Sequence, residues 1–258
     1  MAPESRAADS LAAQYVLGLA DDALVYAQRL GEWISRAPQI EEDMALANVG
    51  LDLLGQARAL LGRVGELDGT SRSEDDLAYF RDEREFRNVH LVEQECSGFG
   101  FEMARLLWFA TYQRELYAAL RASTVEVLAG VAGKALKEVD YHRDHATQWA
   151  LRLGDGTEES HRRMQDGLAT VWPYVAELFQ TDELEQRLVR DGVAVDVSTL
   201  RPEWDSYVGS VLQEATLEVP DGVPTLPGGG RRGVHTEAFG YLLAEMQHLH
   251  RSHPGASW

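Results

Sequence analysis

The chain has 258 residues, of which 45% are hydrophobic, and a net charge of −18 from 24 Lys and Arg against 42 Asp and Glu. These values describe a globular protein able to bury a substantial core. The negative surplus argues against nucleic acid and anionic membrane as partners, because both are polyanions. A single cysteine, Cys96, excludes an internal disulfide and a four-cysteine zinc site. No apolar leader or membrane-length apolar run is visible, which predicts a cytoplasmic protein.

The first two helices follow from apolar periodicity and from the residues that start a helix. Apolar residues recur at helical spacing from about residue 10 to residue 34, predicting a first helix of about 25 residues. After Pro38, the acidic residues Glu41, Glu42 and Asp43 mark the start of a second helix that runs to about Gly62 or Gly65. Its apolar residues lie on every face, so we expect this helix in the middle of a bundle.

Three further long helices are predicted in the middle of the chain. One spans about residues 85–120; the glycines at 97–100 lower its helix propensity by about 1 kcal/mol each, which indicates a close helix crossing, a kink or a break. Another opens at Ser123 or Thr124 and closes at Gly154 to Gly156. A fifth begins near residue 157, and Pro173 should bend it. Shorter helices are expected within 181–219, and a final one from about 235 to 251.

No sustained alternation of β-branched residues is present, so the fold class is predicted as all-α. Four long helices with short connections indicate an antiparallel helical bundle of the ferritin-like type, with additional C-terminal helices. We expect one domain over residues 1–258, with a core bundle at about 10–180 and a helical extension at about 181–258.

The enzymatic use best attested for such a bundle is a di-iron site, built from a Glu on each of two helices and a Glu-x-x-His on each of the other two. The first histidine of the chain is His90, so the two earliest helices lack that motif. The pairs Glu158/His161 and Glu245/His248 have the spacing, but they lie near a helix start and in the last helix. About one such pair is expected by chance in so acidic a chain, so two pairs carry little weight. We therefore predict no metal site in this chain.

A partial di-iron pattern nevertheless remains in the long helices. Asp22 and Asp52 fall midway along the first two helices, at one level of an antiparallel hairpin. Glu138 and Tyr141 keep the Glu-x-x-His spacing with Tyr in the histidine place. These four residues are predicted to mark a degenerate di-iron position.

Charge compensation for these carboxylates is expected because a buried unpaired charge is costly. Lys134 and Lys137 are the only lysines of the chain, and both lie beside Glu138. One hypothesis is that Lys134 supplies a compact ammonium next to Glu138 or Asp52. The alternative is that both lysines are surface residues in ordinary helical ion pairs. The GGGRRG sequence at 228–233 is interpreted as a flexible connector whose Arg231 and Arg232 are available to an acidic partner or a phosphorylated ligand.

Several long segments resemble one protein family. NVGLDLLGQAR at 48–58, RLGDGTEESHRRM at 152–164 and LLAEMQ at 242–247 are similar to the C subunits of bacterial phenylacetyl-CoA 1,2-epoxidases, within a resemblance that extends from about residue 11 to the end. The resemblance implies a ferritin-like fold and a non-catalytic subunit without functional iron ligands. It also implies a heterodimer with a structurally similar catalytic A subunit that carries the di-iron centre.

The same resemblance implies further components. A small B subunit assists assembly, a flavin and iron-sulfur reductase delivers electrons from NADPH, and phenylacetyl-CoA is bound mainly by the partner. Two alternatives to a structural subunit stay open from the residues alone. One is a free-standing di-iron oxygenase with unusual ligands, and the other is a homodimeric helical binding protein.

Overall fold

A computed structural model describes residues 3–220 and 222–256, and within them the regular structure is entirely helical. The all-α prediction is therefore confirmed for the described part of the chain. No helix among those residues is long and apolar enough to cross a membrane. The helices are α1 (Pro3–Gly31), α2 (Ile40–Leu67), α3 (Glu74–Tyr79), α4 (His90–Glu93), α5 (Phe99–Leu120), α6 (Glu126–Gly154), α7 (Glu158–Val171), α8 (Glu183–Arg190), α9 (Arg201–Glu214) and α10 (Glu237–Ser252).

The chain forms two compact units. Unit 1 comprises the residues up to Glu95 together with those from Gly229 onward, and unit 2 comprises Cys96–Gly228. In unit 1, α1 and α2 form a hairpin, and α10 packs on α1, α3 and α4. The last helix is therefore part of the same compact unit as the first. The prediction of a single domain with residues 181–258 as an extension stays a prediction.

In unit 2, α5 is the central helix, and α6, α7 and α9 pack on it. It is buried on every face from Gly100 to Gln113. Trp204 of α9 is almost fully buried, and its indole Nε1 donates to the carbonyl oxygen of Trp108 on α5 at 3.0 Å. Over this stretch α5 is therefore enclosed on all sides within unit 2.

The expectation that α2 is buried on all faces is wrong for this chain. Met44 is 62% exposed and Leu51 is 65% exposed, while Leu46, Val49 and Leu53 on the opposite face are buried. Apolar residues all around a helix indicate several apolar contacts, but they do not say whether those contacts lie within the same chain.

The predicted third helix is interrupted. Only Phe99–Leu120 forms the long helix, while residues 86–89 are extended between a short 3₁₀ turn, Glu83–Glu85, and α4. The glycine-containing stretch at 97–100 precedes and opens α5, and it also provides a close crossing. A Cβ atom on Gly167 of α7 would lie only 2.6 Å from the backbone of Gly100. A break and a close crossing are thus both present.

This crossing leads to a stability prediction. Replacing Gly167 by alanine is expected to lower the free energy of unfolding by about 2 kcal/mol, because the new methyl group must force α7 away from α5. The matched control is Gly133→Ala on α6, where a Cβ meets nothing within 4 Å and the helix should be slightly stabilised. Urea denaturation of both variants provides the measurement. Equal stability of the two variants would contradict the close crossing.

The bounds of α6 and α7 lie close to those predicted from the sequence. α6 begins at Glu126 and ends at Gly154. A capping box between Thr157 and Ser160 starts α7, which gives way to 3₁₀ geometry at Trp172, next to Pro173. Because caps and proline act locally, these boundaries are readable from the residues alone.

Candidate functional site

Asp22 is 2% exposed on α1, and its carboxylate is fully engaged. It accepts hydrogen bonds from the backbone N–H of Val89 at 2.8 Å and from both terminal nitrogens of Arg231, at 3.1 Å and 2.6 Å. Arg231 Nη1 also donates to the carbonyl oxygens of Gly18 and Arg87, each at 2.8 Å. One carboxylate thus joins α1, the extended segment and the loop before α10.

The neighbouring Asp21 makes a second buried pair. Both terminal nitrogens of Arg81 bind its carboxylate, and the backbone N–H of Arg87 donates to it at 2.8 Å. The Arg81 guanidinium lies over the ring of Phe86, 3.9 Å from its centroid. Bidentate pairing and stacking are the contacts that a planar guanidinium makes and an ammonium does not.

Glu93 is a further buried acid of unit 1. Its carboxylate accepts from Asn88 Nδ2 at 2.9 Å and from the backbone N–H of Thr236 at 2.7 Å, and it lies 2.8 Å from His235 Nδ1. The other ring nitrogen of His235 faces the carbonyl oxygen of Phe86 at 3.1 Å. Both ring nitrogens face acceptors, so both contacts are hydrogen bonds only when both nitrogens carry a proton. We call Asp21, Asp22, Arg81, Glu93, Arg231 and His235 the unit 1 polar network.

The glycine-rich loop that contains Arg231 packs closely against the segment before α4. A Cβ atom on Gly230 would lie 1.9 Å from the carbonyl oxygen of Asn88, and Gly233 has φ +73° with its Cβ position 2.2 Å from the carbonyl oxygen of Arg84. Glycine is needed where backbones approach so closely. The interpretation of this loop as a flexible connector with Arg231 available to a ligand is therefore wrong, because Arg231 is bound within unit 1.

Burial raises the pKa of Asp22 from 3.8 to about 6, and the Arg231 guanidinium and the Val89 N–H offset this only in part. The folded state then holds a proton at pH values where the unfolded chain has released it. The contribution of Asp22 to stability should therefore fall as pH rises from about 4 to about 6, by up to about 1.4 kcal/mol per pH unit.

The Asp22→Asn variant has no titrating group at this position and isolates the effect. The difference in unfolding free energy, wild type minus variant, should decline between pH 4 and pH 6 and level off above pH 7. Urea unfolding at several pH values measures it. A difference that is constant over this range, or that grows with pH, would contradict the raised pKa.

Unit 2 has its own buried charge pair. Glu102 and Arg105 are fully buried one turn apart on α5, and the guanidinium of Arg105 binds the Glu102 carboxylate through Nη2 and through Nε. The sequence places Arg105 three positions after Glu102, but only burial makes the pair significant.

The lysine-rich part of α6 lies at the surface. Lys134 is 81% exposed, and its Nζ is 3.8 Å from the carboxylate of Glu138, which is 22% exposed. Lys137 is exposed, and Tyr141 is 55% exposed with its ring stacked near that of His145. An i,i+4 pair of this kind contributes about 0.3–0.5 kcal/mol. The structure brings Lys134 and Glu138 together, but it leaves Lys137 and Tyr141 on the outer surface.

Asp52 is half-buried on α2, whereas Asp22 on α1 is engaged by Arg231. The assignment of Asp22, Asp52, Glu138 and Tyr141 to a degenerate di-iron position stays a prediction.

The donor set does not fit a di-iron centre. Such a centre needs about four carboxylates and two imidazoles converging on the metals. Within residues 3–220 and 222–256, no group of three or more His, Cys, Asp or Glu side chains is arranged to hold a metal ion. The carboxylates of Asp21, Asp22, Glu93 and Glu102 already accept hydrogen bonds from arginine, asparagine or backbone N–H groups, so metal binding would require breaking those pairs.

Comparison with known proteins agrees with the resemblance noted in the sequence. The family described as "Phenylacetic acid catabolic protein" matches residues 2–258. The chain belongs to this family. It is also 45% identical over 244 residues to the C subunit of the 1,2-phenylacetyl-CoA epoxidase of Escherichia coli (strain K12), a match that covers 95% of this chain and 98% of the relative. The predicted ferritin-like helical class is the class of this family and is confirmed.

Proposed function

We propose that this chain is the non-catalytic C subunit of a phenylacetyl-CoA 1,2-epoxidase complex in aerobic phenylacetate degradation. The observation that carries the proposal is the 45% identity to the C subunit of such an epoxidase over nearly the whole of both chains. Because the match covers 95% of this chain and 98% of the relative, we expect the same set of helices in both proteins. An assembly role depends on the faces of those helices.

The buried charges support the non-catalytic part of the proposal. Asp22 and Glu102 are each neutralised by an arginine of this chain. We propose that this chain carries no cofactor and that the di-iron centre belongs to the catalytic A subunit, with which this chain pairs. The small B subunit and the reductase are proposed as further components, and the partner binds most of the phenylacetyl-CoA. A cytoplasmic location is part of the proposal.

The test is co-expression with the A subunit, followed by size-exclusion chromatography and iron analysis. We expect the two chains to co-elute as a stable complex, with this chain free of stoichiometric iron when it is purified alone under the same conditions. Elution as a monomer or homodimer in the presence of the A subunit would overturn the pairing. Stoichiometric iron in this chain alone, with epoxidation once a reductase is supplied, would instead indicate a free-standing oxygenase.

A further inference from the structure

One face of α2 carries an exposed apolar stripe with the spacing of a helix-pairing seam. Its residues are separated by 4, 3, 4 and 3 positions, the alternation that keeps side chains in line along a partner helix. We call this set the α2 stripe: Ile40, Met44, Ala47, Leu51 and Leu54. Four of these five are large hydrophobic residues with exposures between 38% and 70%.

A groove runs beside the stripe, between α1 and α2. It has a volume of about 330 Å³ and is lined by Leu24 and Ile34 from the α1 side and by Gly50 and Leu54 from α2. Gly50 faces α1 along the groove, where an added Cβ atom would lie 3.6 Å from Leu30 Cβ. The stripe thus offers protruding side chains next to a hollow, which is the arrangement that receives the side chains of another helix.

The size of this surface is that of an interface core. With Ile34 included, these side chains leave on the order of 500 Å² of apolar area exposed, at the upper end of the largest patches on monomers and over half of the roughly 800 Å² that a partner buries in a standard interface. Polar residues around it would complete an interface of ordinary size. An apolar patch of this size on a helix favours a protein partner over solvent.

The charges at the two ends of the stripe indicate which kind of partner can bind there. At the Ile40 end, the carboxylates of Glu41 and Asp43 outnumber the exposed guanidinium of Arg36. At the other end Arg58 is already paired with Glu74, its Nη2 being 2.8 Å from Oε1, and Asp75 adds a negative charge beside it. Both ends therefore present a net negative charge to a partner.

A second copy of this chain fits poorly on such a surface. Parallel pairing would place Glu41 against Glu41, and antiparallel pairing would place it against the negative group formed by Arg58, Glu74 and Asp75. Two copies would also bring two net charges of −18 together. The acidic ends of the stripe would also repel phenylacetyl-CoA, because its coenzyme A moiety is anionic.

We infer that the α2 stripe is the docking surface for a helix of the catalytic subunit, one that carries apolar residues at the same alternating spacing and basic residues near both ends. The inference rests on the proposed function and specifies which face of this chain serves it. The occupant differs from this chain because its charges must complement acidic ends.

The test compares Leu51→Glu with Leu249→Glu. Leu249 is a matched control because it is 53% exposed on α10, outside the stripe, and receives the same substitution. Both side chains are exposed, so both variants should fold, which circular dichroism of each purified chain verifies. A conservative variant, Leu51→Met, should bind like the wild type.

The measured quantity is the Kd for the purified catalytic subunit. Leu51→Glu should weaken binding at least about 100-fold, because it places an unpaired charge in the centre of the interface, while Leu249→Glu should change it less than about threefold. Wild-type binding together with an unchanged Kd for Leu51→Glu would overturn the inference and leave the proposed function standing.

Two other outcomes would also overturn the inference. A wild-type chain that does not bind the catalytic subunit overturns the proposed function and the inference with it. Sedimentation of the chain alone as a dimer that Leu51→Glu dissociates assigns the stripe to a second copy and overturns the inference.

Discussion

Replacing Arg105 by methionine is expected to lower the free energy of unfolding by about 4 kcal/mol at pH 7, because it leaves the fully buried carboxylate of Glu102 without its cation. Methionine keeps much of the length and apolar stem of arginine, so the effect isolates the lost charge and hydrogen bonds. Urea denaturation followed by circular dichroism measures the change.

The control for this prediction is the double variant Glu102→Leu with Arg105→Met, which removes both charges. It should recover more than half of the lost stability, because neither desolvated charge remains. If Arg105→Met alone unfolds like the wild type, Arg105 does not offset a buried charge. If the double variant is less stable than Arg105→Met, the pair contributes more to stability than its desolvation costs.

Replacing Arg231 by methionine is expected to lower the free energy of unfolding by about 3 kcal/mol at pH 7. The variant leaves the carboxylate of Asp22 with the N–H of Val89 and removes two hydrogen bonds to backbone carbonyl oxygens as well. The loss should become smaller below pH 6, where Asp22, with its pKa of about 6, is largely protonated.

The matched control is Arg232→Met in the same loop. Arg232 is exposed, so its replacement should change stability by less than about 1 kcal/mol. Thermal denaturation at pH 5 and pH 7 compares the two variants. Equal losses for Arg231→Met and Arg232→Met, or a loss at position 231 that is larger at pH 5 than at pH 7, would contradict the role given to the Asp22–Arg231 pair.

The third predicted helix does not extend back to residue 85, and two side chains of α1 explain why. Asp21 accepts the backbone N–H of Arg87 and Asp22 accepts that of Val89. These alternate N–H groups would otherwise need a partner within a helix. Their satisfaction by carboxylates 66 and 67 residues earlier allows an extended segment where the apolar spacing indicates a helix.

The hypothesis that a lysine neutralises the buried carboxylates also shows what the sequence does not reveal. The scarcity of lysine favours Lys134 and Lys137 as the cations, but the buried acids Asp21, Asp22 and Glu102 are paired with arginines. A guanidinium satisfies several acceptors at once and is less costly to remove from water, so it suits a buried pair better than an ammonium. Composition identifies a rare residue type but does not show which charges are buried.

The amino-acid sequence alone determined the helical class, the bounds of α6 and the start of α7, and the absence of a Glu-x-x-His motif from the two earliest helices. These properties depend on local spacing and capping, which act over a few residues. The tertiary structure decided that Asp22 binds Arg231, 209 residues away, and that Arg81 binds Asp21, 60 residues away. It also decided which face of α2 stays exposed. Such pairs depend on where the chain places distant segments, and no local pattern records that.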